Sequence, residues 1–150
     1  MKIRKIMTYM LVFFLCAIPP IFGSETDKLI DQAIMYERQG RLDQAIETYR
    51  QILEIDPSNV MVQVRLAKVL GWKQRFEEAL ELLNQVLEKY PGHSEALFRK
   101  AQILSWQKKY TQSIETYRKY LNVEKNDSDA LMGIARVSFW AGNNQEAISY

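Results

Sequence analysis

Few residues of this chain carry side chains that do acid–base or covalent chemistry, and their surroundings argue against most of it. There is one cysteine, Cys16, and one histidine, His93. A lone thiol rules out an internal disulfide framework and a zinc site built on several thiolates. A lone imidazole leaves a single candidate general base of that type. His93 stands in Pro91-Gly92-His93-Ser94, a turn sequence in which a solvated loop histidine is expected. No glycine-rich loop offers a phosphate cradle. Asn126-Asp127-Ser128-Asp129 opens like a calcium loop, but the central Gly and the later ligands are missing, so it reads as a turn followed by a helix cap. The same residues form an N-x-S sequon, which matters only in a glycosylating secretory pathway. These residues predict no catalytic, cofactor-binding or metal-ligating site. Trp72, Trp106 and Trp140, 34 residues apart, keep another chemistry open. Large flat rings with a polar edge either stack on sugar rings or aromatic side chains as a ladder, or pack against neighbouring elements.

The chain has 150 residues, 47% of them hydrophobic and 25% charged, which excludes long disorder and a multi-span membrane protein. The formal net charge of +2 comes from one end. Lys2, Arg4 and Lys5 precede an apolar run from Ile6 to Ile18, followed by Pro19-Pro20 and then Gly23-Ser24. A basic start, a short apolar core, a helix-breaking pair and a small residue predict a secretory signal peptide over residues 1–23. An uncleaved anchor fits less well. Ile6 to Phe22 gives 17 residues interrupted by Thr8, Tyr9 and two prolines, against the about 20 apolar residues of a spanning helix. Cys16 follows Phe13-Phe14-Leu15 rather than small residues, so lipidation is not expected. Removal of the segment leaves 17 basic against 18 acidic residues, a net of −1, and no cysteine. That composition suits an oxidising compartment such as the periplasm, with no mature membrane span. The basic balance belongs to targeting and gives no reason to expect a nucleic-acid partner.

The elements that position the tryptophans emerge from self-similarity. Gln44-Ala45-Ile46-Glu47-Thr48-Tyr49-Arg50 recurs as Gln112-Ser113-Ile114-Glu115-Thr116-Tyr117-Arg118, and Pro57 and Pro91 stand 34 residues apart. Small residues repeat on the same period in two series: Ala33, Ala67, Ala101 and Ala135, then Ala45, Ala79, Ser113 and Ala147. Each unit reads as helix, short turn, helix, the first over roughly Lys28–Gln39 and Leu42–Ile55. A small residue on each helix lets two antiparallel helices approach closely, with Tyr49, Leu83 and Tyr117 filling the space beyond. Gly40 and Gly142 occupy matching turn positions where a left-handed backbone costs little. Ser58, Ser94 and Ser128 are the expected N-caps of the following helices.

These positions resemble those that define the tetratricopeptide repeat. Its small first-helix residue matches Ala33, Ala67, Ala101 and Ala135, and its second-helix Ala matches Ala45, Ala79 and Ala147, with Ser113 departing. Its aromatic four residues later matches Tyr49 and Tyr117, with Leu83 departing, and its closing Pro matches Pro57 and Pro91, with Lys125 departing. The resemblance implies an all-α solenoid of helical hairpins over residues 24–150. Its units would be 26–59, 60–93, 94–127 and an incomplete 128–150, winding right-handed. The fourth unit stops within its second helix without a polar capping element. A fragment of a longer protein is the expectation, with pairing of that end against a partner as the alternative.

In tetratricopeptide arrays the first helices line a concave binding surface. Carried over, that implies a groove presenting Ile30, Ile34, Val64, Arg65, Lys68, Phe98, Arg99, Gln102, Met132 and Arg136. Its cations make a basic, partly apolar stripe in a near-neutral chain, with the acids Glu77, Glu78, Glu81 and Glu88 gathered on a second-helix face. The expected ligand is an acidic peptide segment of a partner protein or an anionic or sugar polymer; the plain alternative is solvated arginines in ordinary ion pairs. The carboxylate-clamp variety of the repeat matches poorly, with Ile30 and Ile34 at positions where it carries Lys and Asn; Arg99 alone corresponds. The phrase Val69–Ala79 is also similar to repeats that precede an outer-membrane β-barrel in polysaccharide-export proteins. The reading is therefore a non-enzymatic exported scaffold, without cofactor. The alternatives are the periplasmic arm of an export machine and the docking module of an enzyme whose catalytic domain lies beyond Tyr150.

Overall fold

In the computed structural model, residues 22–142 are described. The signal segment up to Ile21, and residues 143–150 with Ala147, lie outside the described residues. Seven helices and no strand are found among the described residues, and the first six pair into three antiparallel hairpins. The helices are α1 (Phe22–Arg38), α2 (Leu42–Ile55), α3 (Val60–Trp72), α4 (Phe76–Lys89), α5 (Ser94–Trp106), α6 (Tyr110–Val123) and α7 (Ser128–Trp140). The first helix starts at Phe22, ahead of the sequence expectation near Lys28. No helix among the described residues is long and apolar enough to cross a membrane.

The second helices are one-sided. In α2 the buried stripe is Ala45, Ile46, Tyr49 and Ile52, in α4 Ala79, Leu80, Leu83 and Val86, and in α6 Ser113, Ile114, Tyr117 and Tyr120. This spacing puts one apolar face against the partner helices. The internal first helix α3 is different, burying Val62, Val64, Leu66, Ala67, Val69, Leu70 and Gly71, because it is wedged between its own hairpin and the next. Beyond chain-adjacent pairs, α3 touches α5 and α5 touches α7, whereas no contact of comparable extent joins α2 to α4 or α4 to α6. The first helices α3, α5 and α7 therefore form the tighter inner row of a curved stack, which α1 joins through Glu37.

Ala33, Ala45, Ala67, Ala79 and Ala101 are fully buried at the helix crossings, and Ala135 is half-buried. Ser113 stands where the other units have Ala, and its hydroxyl donates to the Ala101 carbonyl of α5 at 2.7 Å. That bond satisfies a polar group that burial would otherwise penalise. Pro57 and Pro91 are exposed in the inter-hairpin turns, so they end helices rather than fill space.

Two details of the turns differ from the sequence expectation. The N-caps are Asn59, His93 and Asp127, whose side chains accept from the backbone N–H of Val62, Ala96 and Ala130. Ser94 and Ser128 are instead the first residues inside α5 and α7, and Ser58 bonds back to Asp56. His93 is thus a cap through Nδ1 rather than a solvated loop side chain. The turn inside each hairpin places a residue in the left-handed region: Gly40, Gln74, Lys108 and Gly142, at φ +71°, +59°, +60° and +81°. The following N–H reaches back across the turn, Arg41 to Tyr36 and Lys109 to Leu104, each at 2.9 Å. A non-glycine residue there costs about 1 kcal/mol, partly offset by the greater unfolded-state entropy of glycine. Lys108→Gly should therefore stabilise the protein by about 0.5 kcal/mol in urea unfolding, and an unchanged or lower midpoint would contradict this account.

Candidate functional site: the inner helix row

The inner row brings together the side chains that sequence assigned to a groove. Val60, Met61, Val64, Arg65, Lys68, His93, Glu95 and Arg99 line a cavity of about 620 Å³ between α3 and α5. Phe98 adjoins it on α5, its ring set edge-on to Tyr117 at 5.7 Å and 5.3 Å from Tyr120. Farther along, Met132 is 62% exposed on α7 and Arg136 stands one turn beyond it. Ile30 and Ile34 are half-buried on α1.

The charges do not form a uniform basic stripe. Glu37, on the last turn of α1, is held by Lys68, lies 3.6 Å from Arg65, and accepts a hydrogen bond from the Tyr49 hydroxyl at 2.9 Å. Its side chain is only 9% exposed. Two of the four expected groove cations are therefore occupied by an internal carboxylate. Arg99 bonds Glu95, one turn earlier, at 2.8 Å and Gln102 at 2.9 Å. Arg136 is different: its guanidinium lies over the Trp140 ring at 5.6 Å, and its charge pulls against the burial of the Tyr117 hydroxyl. Among the described residues no carboxylate lies within ion-pair distance of Arg136. Sequence reasoning overlooked Glu37. The available signal was its register: the same position is Gly71 and Ser105 in the next units, so a charged residue among small ones stood out.

Burial raises both inner tyrosines. The Tyr49 hydroxyl is pushed far above the ordinary tyrosine range, first by burial and then by its bond to Glu37. Tyr117 is pushed up to about 12 by burial, against the opposing pull of Arg136 and Arg99. A phenol harder to ionise in the folded state keeps its full contribution below the unfolded value near pH 10 and loses it as pH rises through the folded value. Stability should accordingly fall with pH from about 10 upward, and this fall should be shallower in Tyr49→Phe. An alkaline unfolding series followed by helical circular dichroism checks both.

The acids Glu77, Glu78, Glu81 and Glu88 do lie together, with Asn84, Lys100 and Lys109, around a cavity of about 730 Å³ at α4. Arg50 and Arg75 both bind Glu78 and hold its carboxyl below the usual range, Arg75 more strongly. Trp72, Trp106 and Trp140 end the inner helices and are 45%, 39% and 48% exposed. They pack and face solvent at once. Trp106 leans on Phe76 at 6.4 Å and Trp140 on Tyr110 at 6.5 Å, each pair bridging consecutive hairpins. No Trp–Trp ring contact occurs among the described residues, so the tryptophans form separated pairs with other rings and not a continuous ladder. Gly71, Trp72, Gln74, Phe76 and Trp106 surround a cavity of about 430 Å³. Among the described residues no group of His, Cys, Asp or Glu is arranged to hold a metal ion.

Comparison with known proteins agrees with this architecture. Solved structures of MamA are similar: that from Desulfovibrio magneticus RS-1 at TM-score 0.76 and 16% identity, over 83% of this chain and 70% of that one. MamA AMB-1 aligns at TM-score 0.67 and 24% identity, over 83% and 68%. A tetratricopeptide repeat protein from Parabacteroides merdae aligns at TM-score 0.75 and 24% identity, over 85% of this chain and 50% of that one. At these identities the likeness is one of fold. No curated protein matches the chain. The family profile described as Tetratricopeptide repeat matches residues 37–103 and 73–136. With hairpins, crossing alanines and inner row all in place, this chain belongs to the tetratricopeptide repeat family.

Proposed function

We propose that the chain is a non-enzymatic scaffold of the cell envelope, exported by residues 1–23, that binds an acidic segment of a partner protein along its inner row. The observation that carries this reading is the groove itself: an open cavity of about 620 Å³ with apolar Val60, Met61 and Val64 on one wall and Arg99 on the other. Such a surface suits an extended or helical segment with alternating apolar and acidic residues. Of the cations, Arg99 and Arg136 carry the charge complementarity: Arg65 and Lys68 serve the buried Glu37, whereas the partner of Arg99, Glu95 one turn earlier, is itself exposed and able to give way. The pairs Phe76–Trp106 and Tyr110–Trp140 favour a second ligand chemistry at the hairpin tips, a flat ring from a sugar polymer or an aromatic side chain.

A photo-crosslinking residue at Met132, on the inner row, should give a discrete protein adduct in cells, while one at exposed Glu47 on α2 should not. Equal labelling from both positions, or none from Met132, would end the proposal. Arg99→Glu with Arg136→Glu should abolish the adduct. Arg65→Glu is the wrong probe, because it strikes the buried carboxylate and would unfold the first interface. N-terminal sequencing tests export: the mature protein should begin at Ser24, and a soluble product beginning at Met1 would exclude a cleaved signal.

A further inference from the structure

The notch between the tips of the second and third hairpins can be compared, position by position, with the rest of the array. It is a cavity of about 430 Å³ bounded by Gly71, Trp72, Gln74, Phe76 and Trp106. Trp106 comes from the third hairpin and leans on Phe76 of the second at 6.4 Å, the two rings tilted by 41°. Gly71 makes that approach possible: a Cβ there would lie 3.0 Å from Trp106 Cζ3 and 3.0 Å from Ile103 Cγ1. The other first helices carry side chains at this position, Glu37, Ser105 and Phe139. Trp72 and Trp106 nevertheless remain 45% and 39% exposed, so aromatic surface faces solvent here instead of closing into the core.

The turns beside these tips add a polar rim. Their left-handed residue is glycine in the first and last turns, Gly40 and Gly142, but Gln74 and Lys108 in the two turns that flank the notch. Glycine holds that backbone with less strain. The side chains of Gln74 and Lys108 are exposed and make no hydrogen bond or ion pair among the described residues, so no bond in the fold offsets the strain. Charge gathers at the same place. Of the four cations in the two turns, Lys73, Arg75 and Lys109 pair with Asp43, Glu78 and Glu77, and Lys108 alone is without a carboxylate among the described residues.

We propose that this notch binds one ring of an acidic polysaccharide: a pyranose lies against Trp106 and Trp72, the Gln74 amide takes its hydroxyls, and the Lys108 ammonium takes its carboxylate. A pyranose shows C–H groups on its faces and hydroxyls around its edge, so it needs a flat apolar partner with polar groups beside it. The tryptophans meet the first need, the rim meets the second, and the free cation selects an acid. An aromatic anchor of a peptide is better served by a closed, dry pocket. Tyr110 against Trp140 at 6.5 Å repeats the ring pair one hairpin on, and a row of like tips suits a ligand that itself repeats. The inference rests on the ring-binding chemistry proposed for the hairpin tips, names its ligand class and residues, and is independent of the inner row.

The test titrates the tryptophan indole N–H resonances with trigalacturonate. Saturable shifts are expected at Trp72 and Trp106, and Trp106→Ala should weaken binding about tenfold. Loss of that ring also disturbs the hairpin interface, so the decisive variants are Gln74→Gly and Lys108→Gly. Each should melt at a higher temperature than the unchanged protein and yet bind about three- to fivefold more weakly. Unchanged binding in both variants, or no saturable shift in the unaltered protein, would overturn the inference. Equal shifts with neutral maltotriose would overturn it too, since the site would then not select an acid. Shifts given by N-acetyl-phenylalanine amide and not by trigalacturonate would overturn it by assigning the notch to an aromatic side chain of a protein partner. The inner row is read separately: no adduct at Met132 beside an intact trigalacturonate site sinks the acidic-segment groove and leaves this site standing.

Discussion

Leu83→Ala should lower the unfolding free energy by about 3 kcal/mol, the ordinary cost of a leucine-sized hole in a packed core. Leu83 is fully buried and stands at the middle of the stack, where Tyr49 and Tyr117 stand in the flanking hairpins. In a solenoid each hairpin is stabilised chiefly by its neighbours, so a central cavity weakens the interfaces on both sides. Ile134→Ala, fully buried in α7, should cost a similar amount but be felt at one end. Hydrogen exchange separates the two. Amides of α1 to α4 should keep their protection in Ile134→Ala and lose it together in Leu83→Ala. Uniform loss in both variants would show that the array unfolds as one unit.

The second large effect is expected at Glu37. Glu37→Ala should destabilise by about 2 to 3 kcal/mol, because it leaves the Tyr49 hydroxyl and Lys68 without their acceptor in a largely dry site. Lys68 is 15% exposed and cannot recover full hydration without moving. Arg65, at 34%, can turn toward the groove, which holds the loss below that of a fully buried pair. Tyr49→Phe alone should cost about 1 kcal/mol, and adding it to Glu37→Ala should cost almost nothing more, since the bond it removes is already gone. Strictly additive losses in urea unfolding would mean that the contacts seen at Glu37 are not energetically linked.

The hairpins were legible because two constraints coincide in this chain. Crossing alanines and bulky fillers recur every 34 residues, and only a stack of equal units gives a sequence that period. Local chemistry misled where it was preferred to register. Serine is a favoured cap, so Ser58, Ser94 and Ser128 drew attention, yet they are not evenly spaced. Asn59, His93 and Asp127 keep the 34-residue interval and are the caps. The groove was legible as a face but not as a field. Arg65 and Lys68 share a helix face by their spacing, while the acid that occupies them comes from α1, about a repeat earlier in the chain. Sequence period says which positions meet; it does not say which of the meeting side chains already satisfy each other.

Helix α5 belongs to two cores. Ala96, Ile103 and Leu104 join the cluster built by α1 to α4, whereas Leu97 and Ala101 join the one shared with α6 and α7. Mechanically, α5 is the seam of the array, and a load applied between its two ends should part it there first, in two steps. The groove between α3 and α5 runs alongside that seam. A segment seated across it would act as a splint, so an occupied scaffold would be stiffer than an empty one and could report, by its resistance to stretching, that cargo is aboard.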